Sequence, residues 1–315
     1  MTEYMLRRLL LAIPTILLVL FVTFVMLRLV PGDIVELIMA ENPYATDEDR
    51  ARIEAELGLD KPILQQFGVY LTEVLRGDFG ESPWTKRPIA DELKNRLPVT
   101  LEFGFMSILL GLIIALPVGV LSAVRQDTLA DYAARSFAIL ALSVPYFFTA
   151  LLLVVFPSQW FGWSPPLVYK GWSDPLDHLY FYFWPALLLG VGLAGSVMRM
   201  TRNMMLEVLR QDYIRTAWAK GLRERAVILR HALKNALIPV ITIVGLQVGV
   251  AIGGTLILET IFNMPGMGRF FIGAIFQRDY PSVQATVLVL AIVVVFVNIV
   301  VDLSYAWLDP RIRYG

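Results

Sequence analysis

His178 and His231 are the only imidazoles in this 315-residue chain, and cysteine is absent. Thiolate chemistry, disulfides and Cys/His metal clusters are therefore excluded. No H-E-x-x-H metal motif, G-x-S-x-G nucleophile turn or G-x-x-x-x-G-K-[ST] phosphate loop occurs, so an enzymatic role has little support. The polar residues left for chemistry are carboxylates and amides in apolar surroundings. Glu102, Glu259 and Asp302 stand at the ends of hydrophobic runs, while Gln247 and Asn298 lie deeper. A charge at the centre of a membrane helix costs about 2.5–3.5 kcal/mol. The three acids are expected to snorkel or pair at an interface. Gln247 and Asn298 are expected either to hydrogen-bond between helices or to line a solute path.

The elements that must position these groups are membrane spans. Hydrophobic residues make up 57% of the chain, and its mean hydropathy is +0.64. Charge-free runs cover Leu9–Leu27, Phe103–Val124, Ser136–Tyr169, Leu179–Met198, Asn235–Leu258 and Tyr280–Val301. Each can cross a hydrocarbon core of about 30 Å as a helix. This predicts an all-α membrane protein with six transmembrane helices and no internal repeat. The third run exceeds one helix, and Pro157, Gly162, Pro165 and Pro166 predict a helix end near Phe156 with an outer loop beyond. Gly245, Gly249, Gly253 and Gly254 form a small-residue face on the fifth span, suited to close helix packing. The first run is too long for a signal-peptide core and lacks a small-x-small cleavage site, so it reads as a retained helix.

Net charge is zero, which gives no reason to expect a nucleic-acid partner. The loops are not symmetric, however. From Arg199 to Lys234 nine Lys/Arg face three acids, an excess of six positive charges, and Arg7, Arg8, Arg125, Arg135, Arg311 and Arg313 fall on the same side. Positive loops stay inside, so both termini and the loop 199–238 are expected in the cytoplasm. The segment Pro31–Pro98 then lies outside. Within it, Asp47–Leu57 and Leu64–Leu75 carry helix signals, with Leu64, Phe67, Leu71 and Val74 or Leu75 at helical spacing. It is expected to form a solvated cap or a docking surface.

The cytoplasmic loop itself is patterned. Ile214, Ala217, Trp218 and Leu222 recur at helical spacing, and Gly221 is placed to end one short helix before Glu224–Leu237 resumes. Such a helix can lie on anionic lipid or insert a Trp into a groove on a protein partner.

Motifs along almost the whole chain resemble the B subunits of dipeptide and oligopeptide permeases, inner-membrane components of peptide-type ABC importers. They include Leu6-Arg7-Arg8-Leu9-Leu10, Leu29-Val30-Pro31-Gly32-Asp33, Arg76-Gly77-Asp78-Phe79-Gly80, Arg96-Leu97-Pro98-Val99-Thr100-Leu101-Glu102, Ser143-Val144-Pro145, Arg230-His231-Ala232-Leu233-Lys234-Asn235-Ala236, Glu259-Thr260-Ile261-Phe262, Pro265-Gly266-Met267-Gly268 and Leu308-Asp309-Pro310-Arg311. The resemblance implies a type I ABC importer permease fold, forming one transmembrane domain over 1–315. It also implies that Tyr213, Ile214, Arg215, Thr216, Ala217, Trp218, Ala219, Lys220 and Gly221 form a coupling motif, with Arg215 where many importers carry an acid. The implied partners are a second homologous permease, two ATPase subunits that hold ATP and Mg, and an external solute-binding protein. The implied setting is the cytoplasmic membrane of a bacterium or archaeon, with no cofactor bound by this chain. Relatives carry peptides, nickel or glycosides. A self-contained secondary transporter is the competing class, and it would call for ionisable residues near mid-membrane and two matching halves.

Overall fold

The structure, a computed structural model, describes residues 2–29, 34–40, 46–56 and 58–308, with side chains for 6–29, 35–36, 39–40, 46–55 and 58–301. Pro31-Gly32-Asp33, the Asp302 side chain, Asp309-Pro310-Arg311 and Arg313 lie outside the described residues. Thirteen α-helices account for most of the described residues. They are α1 (Thr2–Leu29), α2 (Ile34–Ala40), α3 (Asp47–Glu56), α4 (Ile63–Leu75), α5 (Ile89–Val124), α6 (Leu129–Ser143), α7 (Tyr146–Phe161), α8 (Pro175–Leu209), α9 (Asp212–Ala219), α10 (Glu224–Ala226), α11 (Leu233–Ile261), α12 (Met267–Phe276) and α13 (Tyr280–Leu308). A π-helical turn, Val227–Ala232, joins α10 to α11. Among the described residues the only β pairing is one isolated bridge, Glu81 with Pro88. The chain is all-helical, as its sequence predicts.

Five helices are long and apolar enough to cross a membrane, and α6 with α7 makes a sixth span if that bent pair counts as one. The predicted third span is thus two helices meeting at 91°. Pro145 is the cause. Its ring disfavours α geometry at Val144, which is extended at φ −92° and ψ 119°. The predicted end near Phe156 is not where α7 stops. Pro157 stays inside the helix, and Gly162 ends it in the left-handed region at φ 63°.

Contacts divide the chain into two compact units. The first comprises residues 1–97 and 270–293. In it α1 and α4 meet through aromatic rings: Phe67 lies 5.3 Å from both Phe21 and Phe24, edge-on. On α4, Phe67, Leu71 and Val74 turn inward, whereas Leu64 and Leu75 are exposed. Thr46 and Asp49 cap α3 reciprocally, each side chain accepting from the other's backbone N–H. Those bonds hold the Asp49 carboxyl below its ordinary pKa. At the head of α13, Asp279 accepts from the Ser282 N–H at 3.1 Å and from the Ser82 hydroxyl at 2.5 Å.

The second unit comprises residues 98–269 and 294–315. Lipid tails are as apolar as leucine, so its helices gain from close approach more than from apolar burial. Backbones of α5 and α8 cross where a Cβ on Gly190 would sit 2.6 Å from the Ser107 carbonyl oxygen. A core of Phe103, Phe181, Tyr182, Leu189, Leu258 and Phe262 fills the space between α5, α8 and α11.

Candidate coupling and translocation sites

The chain leaves α8 at Leu209, turns through Arg210 and Gln211, and re-enters helix as α9. Ile214 and Ala217 are the residues of α9 that turn inward, packing with Ala123, Met205, Val227, Ala232 and Ala236. This anchors the short helix to the ends of α5, α8 and α11. Tyr213, Arg215, Thr216, Trp218, Ala219 and Lys220 remain exposed. Asn235 of α11 donates to the Tyr213 hydroxyl at 2.8 Å. Arg215 reaches Asp212 at 3.3 Å, but both side chains are open to solvent. Gly221 ends the helix at φ 73°. Its N–H donates to the Trp218 carbonyl at 2.9 Å, and the Leu222 N–H reaches back to that of Ala217 at 3.4 Å. This is a Schellman cap, which needs a left-handed residue at the glycine position. Within the apolar stripe of α9, Ile214 is fully buried in its own chain, and Trp218, 45% exposed, faces out.

Just before the loop lies a polar clamp that composition alone did not reveal. Asp131 of α6 is fully buried and receives both Nε and Nη2 of Arg202 from α8, each at 2.8 Å. The Ser122 hydroxyl of α5 donates to the same carboxylate at 2.6 Å, and the Asp127 N–H at 3.0 Å. Three helices are tied by one side chain.

Glu259 does not snorkel. It is fully buried, accepting from the Thr100 hydroxyl at 2.6 Å and from the backbone N–H groups of Gly268 at 2.6 Å and Arg269 at 3.3 Å. A carboxylate at the start of α12 matches the partial positive charge there. Thr100 in turn accepts from the Met267 N–H at 2.8 Å. Three motifs read separately in the sequence, around Thr100, Glu259 and Gly268, thus form one network. Glu102 pairs instead with His178 Nε2 at 2.8 Å, and Trp172 lies over the imidazole with centroids 4.2 Å apart.

The two deep amides part company. Gln247 donates its amide to the Ser196 hydroxyl, a bond between α11 and α8. Asn298 is exposed on α13, with no hydrogen bond among the described residues. The glycine face splits as well. A Cβ at Gly254 would meet Leu189 at 2.6 Å and one at Gly245 would meet Val301, while Gly249 and Gly253 have nothing within 4 Å. With exposed Leu246 and Val250, they leave part of α11 uncovered. Among the described residues no cluster of metal-ligating side chains occurs.

With this geometry in hand, residues 115–314 match the family model described as binding-protein-dependent transport system inner membrane component, and residues 1–104 match its N-terminal companion. The dipeptide transport system permease protein DppB of Escherichia coli K12 is 39% identical, over 100% of this chain and 99% of that protein. The glutathione transport system permease protein GsiC of Salmonella choleraesuis is 38% identical over all of both chains. Among solved structures, a subunit of the MetNI methionine ABC transporter superposes with a TM-score of 0.55 at 21% identity, covering 69% of this chain and 96% of its own. A chain of an amino acid ABC transporter gives the same score at 14% identity, with 69% and 94% covered.

Proposed function

The chain belongs to the binding-protein-dependent transport system inner membrane component family and is a permease subunit of an ABC importer; on that premise we propose that its solute is a dipeptide or short oligopeptide. The observation that carries this reading is end-to-end likeness to permeases named for dipeptides and glutathione, the latter itself a peptide. The whole chain acts as one permease domain, with residues 31–98 as the external insertion and 199–238 as the coupling loop.

In this reading Tyr213–Gly221 docks in a cleft of an ATPase subunit on the cytoplasmic side. Trp218 enters the cleft, Arg215 stays at the rim, and the Gly221 cap fixes the angle at which α9 leaves. Movement of the ATPase reaches the spans because Ile214 and Ala217 bind α9 to the ends of α5, α8 and α11. ATP and Mg belong to two separate ATPase subunits, and this chain supplies positioning alone. A second permease covers the open face of α11, and the solute path runs between the two. Asn298 is the better candidate for its wall, since Gln247 is already engaged with Ser196. Both termini are cytoplasmic, and a solute-binding protein docks on the external insertion.

The test is uptake in proteoliposomes holding this permease, its partner, the ATPases and the binding protein. ATP-dependent uptake of L-alanyl-L-alanine, competed by other short peptides, is the expected result. Uptake of a glycoside or of nickel with no competition by peptides overturns the peptide assignment.

A further inference from the structure

We propose that the first unit carries a site for a small zwitterion, in the cavity where the end of α1, the α3–α4 turn, α4 and the start of α13 come together. The cavity measures about 400 Å³. Its lining carries one guanidinium and two unpartnered polar groups. The Arg28 guanidinium is half-buried over the Phe24 ring, 3.4 Å from its centroid. It is fixed by bonds from Nε to the Gln66 side-chain oxygen at 2.7 Å and from Nη1 to the Phe24 carbonyl at 3.2 Å. No carboxylate among the described residues pairs with it. Gln284 lines the same wall, is only 5% exposed, and has no partner for its amide nitrogen. The buried Tyr70 hydroxyl, also on the wall, has none either.

Buried polar groups are nearly always satisfied, so the two unpartnered groups, Gln284 Nε2 and the Tyr70 hydroxyl, beside a guanidinium with no carboxylate partner, call for an acceptor that the described residues do not supply. An anionic oxygen group, carboxylate or phosphate, fits a guanidinium flanked by an amide and a phenol. The mouth has the opposite sign. Glu73, Asp78 and Glu81 line it with exposed carboxylates, none ion-paired among the described residues, against the single cation Lys61. Anion inward and ammonium outward describe either an amino acid or short peptide, or the headgroup of an ethanolamine phospholipid. The charge pattern stands by itself; only the choice of a dipeptide as probe rests on the peptide reading.

The natural chain has no cysteine, so Val69→Cys on the cavity lining gives one reporter thiol. The full chain, in phosphatidylcholine nanodiscs, is treated with a water-soluble thiosulfonate reagent, with and without L-alanyl-L-alanine. Expected is a labelling rate lowered about tenfold at saturation, with the dipeptide's affinity weakened roughly tenfold or more by Arg28→Gln through loss of a charge-assisted contact. N-acetylation or amidation of the dipeptide is expected to weaken protection to a similar degree. Glu73→Gln with Glu81→Gln alters exposed groups only, so it keeps the fold and weakens protection through the ammonium. Protection seen without dipeptide, in phosphatidylethanolamine nanodiscs alone, assigns the site to the lipid headgroup. Labelling unchanged by both probes overturns the proposal, as does equal protection by acetate or by the N-acetylated dipeptide. The readout requires no transport. A protected thiol with no peptide uptake therefore refutes the peptide assignment and leaves this site standing, and the converse holds equally.

Discussion

Replacing Asp131 with alanine removes the acceptor of four hydrogen bonds at once: two from Arg202, one from Ser122 and one from the Asp127 backbone. Taking one partner from a buried ion pair costs about 3–5 kcal/mol, because the charge left behind has lost its compensation. The Arg202 side chain is 16% exposed and can recover some water. That places the expected loss at the lower end, about 3 kcal/mol. Replacing both charges by apolar groups is a different perturbation. Asp131→Ala with Arg202→Met leaves no orphaned charge, and since apolar replacement of a buried pair is often neutral, the double variant is expected within about 1 kcal/mol of the parent. The resulting coupling energy, about 2 kcal/mol or more, is what contact between the two side chains predicts. Equilibrium unfolding of the purified chain in mixed micelles measures Asp131→Ala, Arg202→Met and the double variant. The same Asp131→Ala protein, assembled with its partners, is expected to hydrolyse ATP with reduced uptake per turnover, because α8 carries α9 directly beyond the clamp. A single variant costing under about 1 kcal/mol, or strictly additive losses, refutes the reasoning.

Ile214→Ala and Trp218→Ala are expected to fail differently. The first removes a fully buried side chain and costs about 2–5 kcal/mol of stability in the isolated chain. The second leaves that stability nearly unchanged and weakens ATPase assembly by about 2 kcal/mol, read by co-purification and by ATPase activity. Gly221→Val, at φ 73°, is expected to disrupt the helix end and uncouple hydrolysis from uptake, since a β-branched residue resists the left-handed region. Gly253→Leu adds bulk where nothing lies within 4 Å, so the single chain should fold normally while pairing with the second permease fails on native gels. In the cysteine-free background, Asn298→Cys is expected to react with a water-soluble thiol reagent faster than Gln247→Cys, and no reaction at either position in any nucleotide state removes both from the path.

The spans were legible because each must present about 20 apolar residues to lipid, a requirement that no tertiary context relaxes. Helix α9 was legible for a related reason: Ile214 and Ala217 repeat at helical spacing, and Gly221 sits where a cap is needed. Which of its apolar residues faced out was not. Periodicity identifies a stripe, while the choice between Ile214 and Trp218 depended on Met205, Val227 and Ala236 arriving from neighbouring helices. The acids illustrate the same limit. Glu259 stands at the end of an apolar run, but its buried partners were hidden, since Thr100 lies 159 positions away and Gly268 belongs to a separate helix. Asp131 and Arg202 are 71 positions apart, and Arg202 read as one more base in a positive loop. The elbow at Val144 was not legible, because Pro145 does not differ in type from Pro157, which stays inside α7. A proline within a membrane helix is tolerated when neighbouring groups re-satisfy the backbone, so residue type by itself did not say which one breaks it.

That elbow constrains what surrounds the molecule. At about 1.5 Å per residue, α6 and α7 are each shorter than a hydrocarbon core of about 30 Å, so neither traverses it alone in a straight line. Between them, exposed Ser143 and Pro145 bracket a bend, and Pro145 has no N–H to offer the Ala141 carbonyl. Acyl chains provide no donor for such a group. At acyl depth this corner of the protein would need either a water-filled recess or another polypeptide laid against it. The bare α11 surface at Gly249 and Gly253 is compatible with oil, whereas the elbow is not. An elbow at that depth would bar one stretch of the perimeter from contact with lipid tails, whatever solute the assembled machine carries.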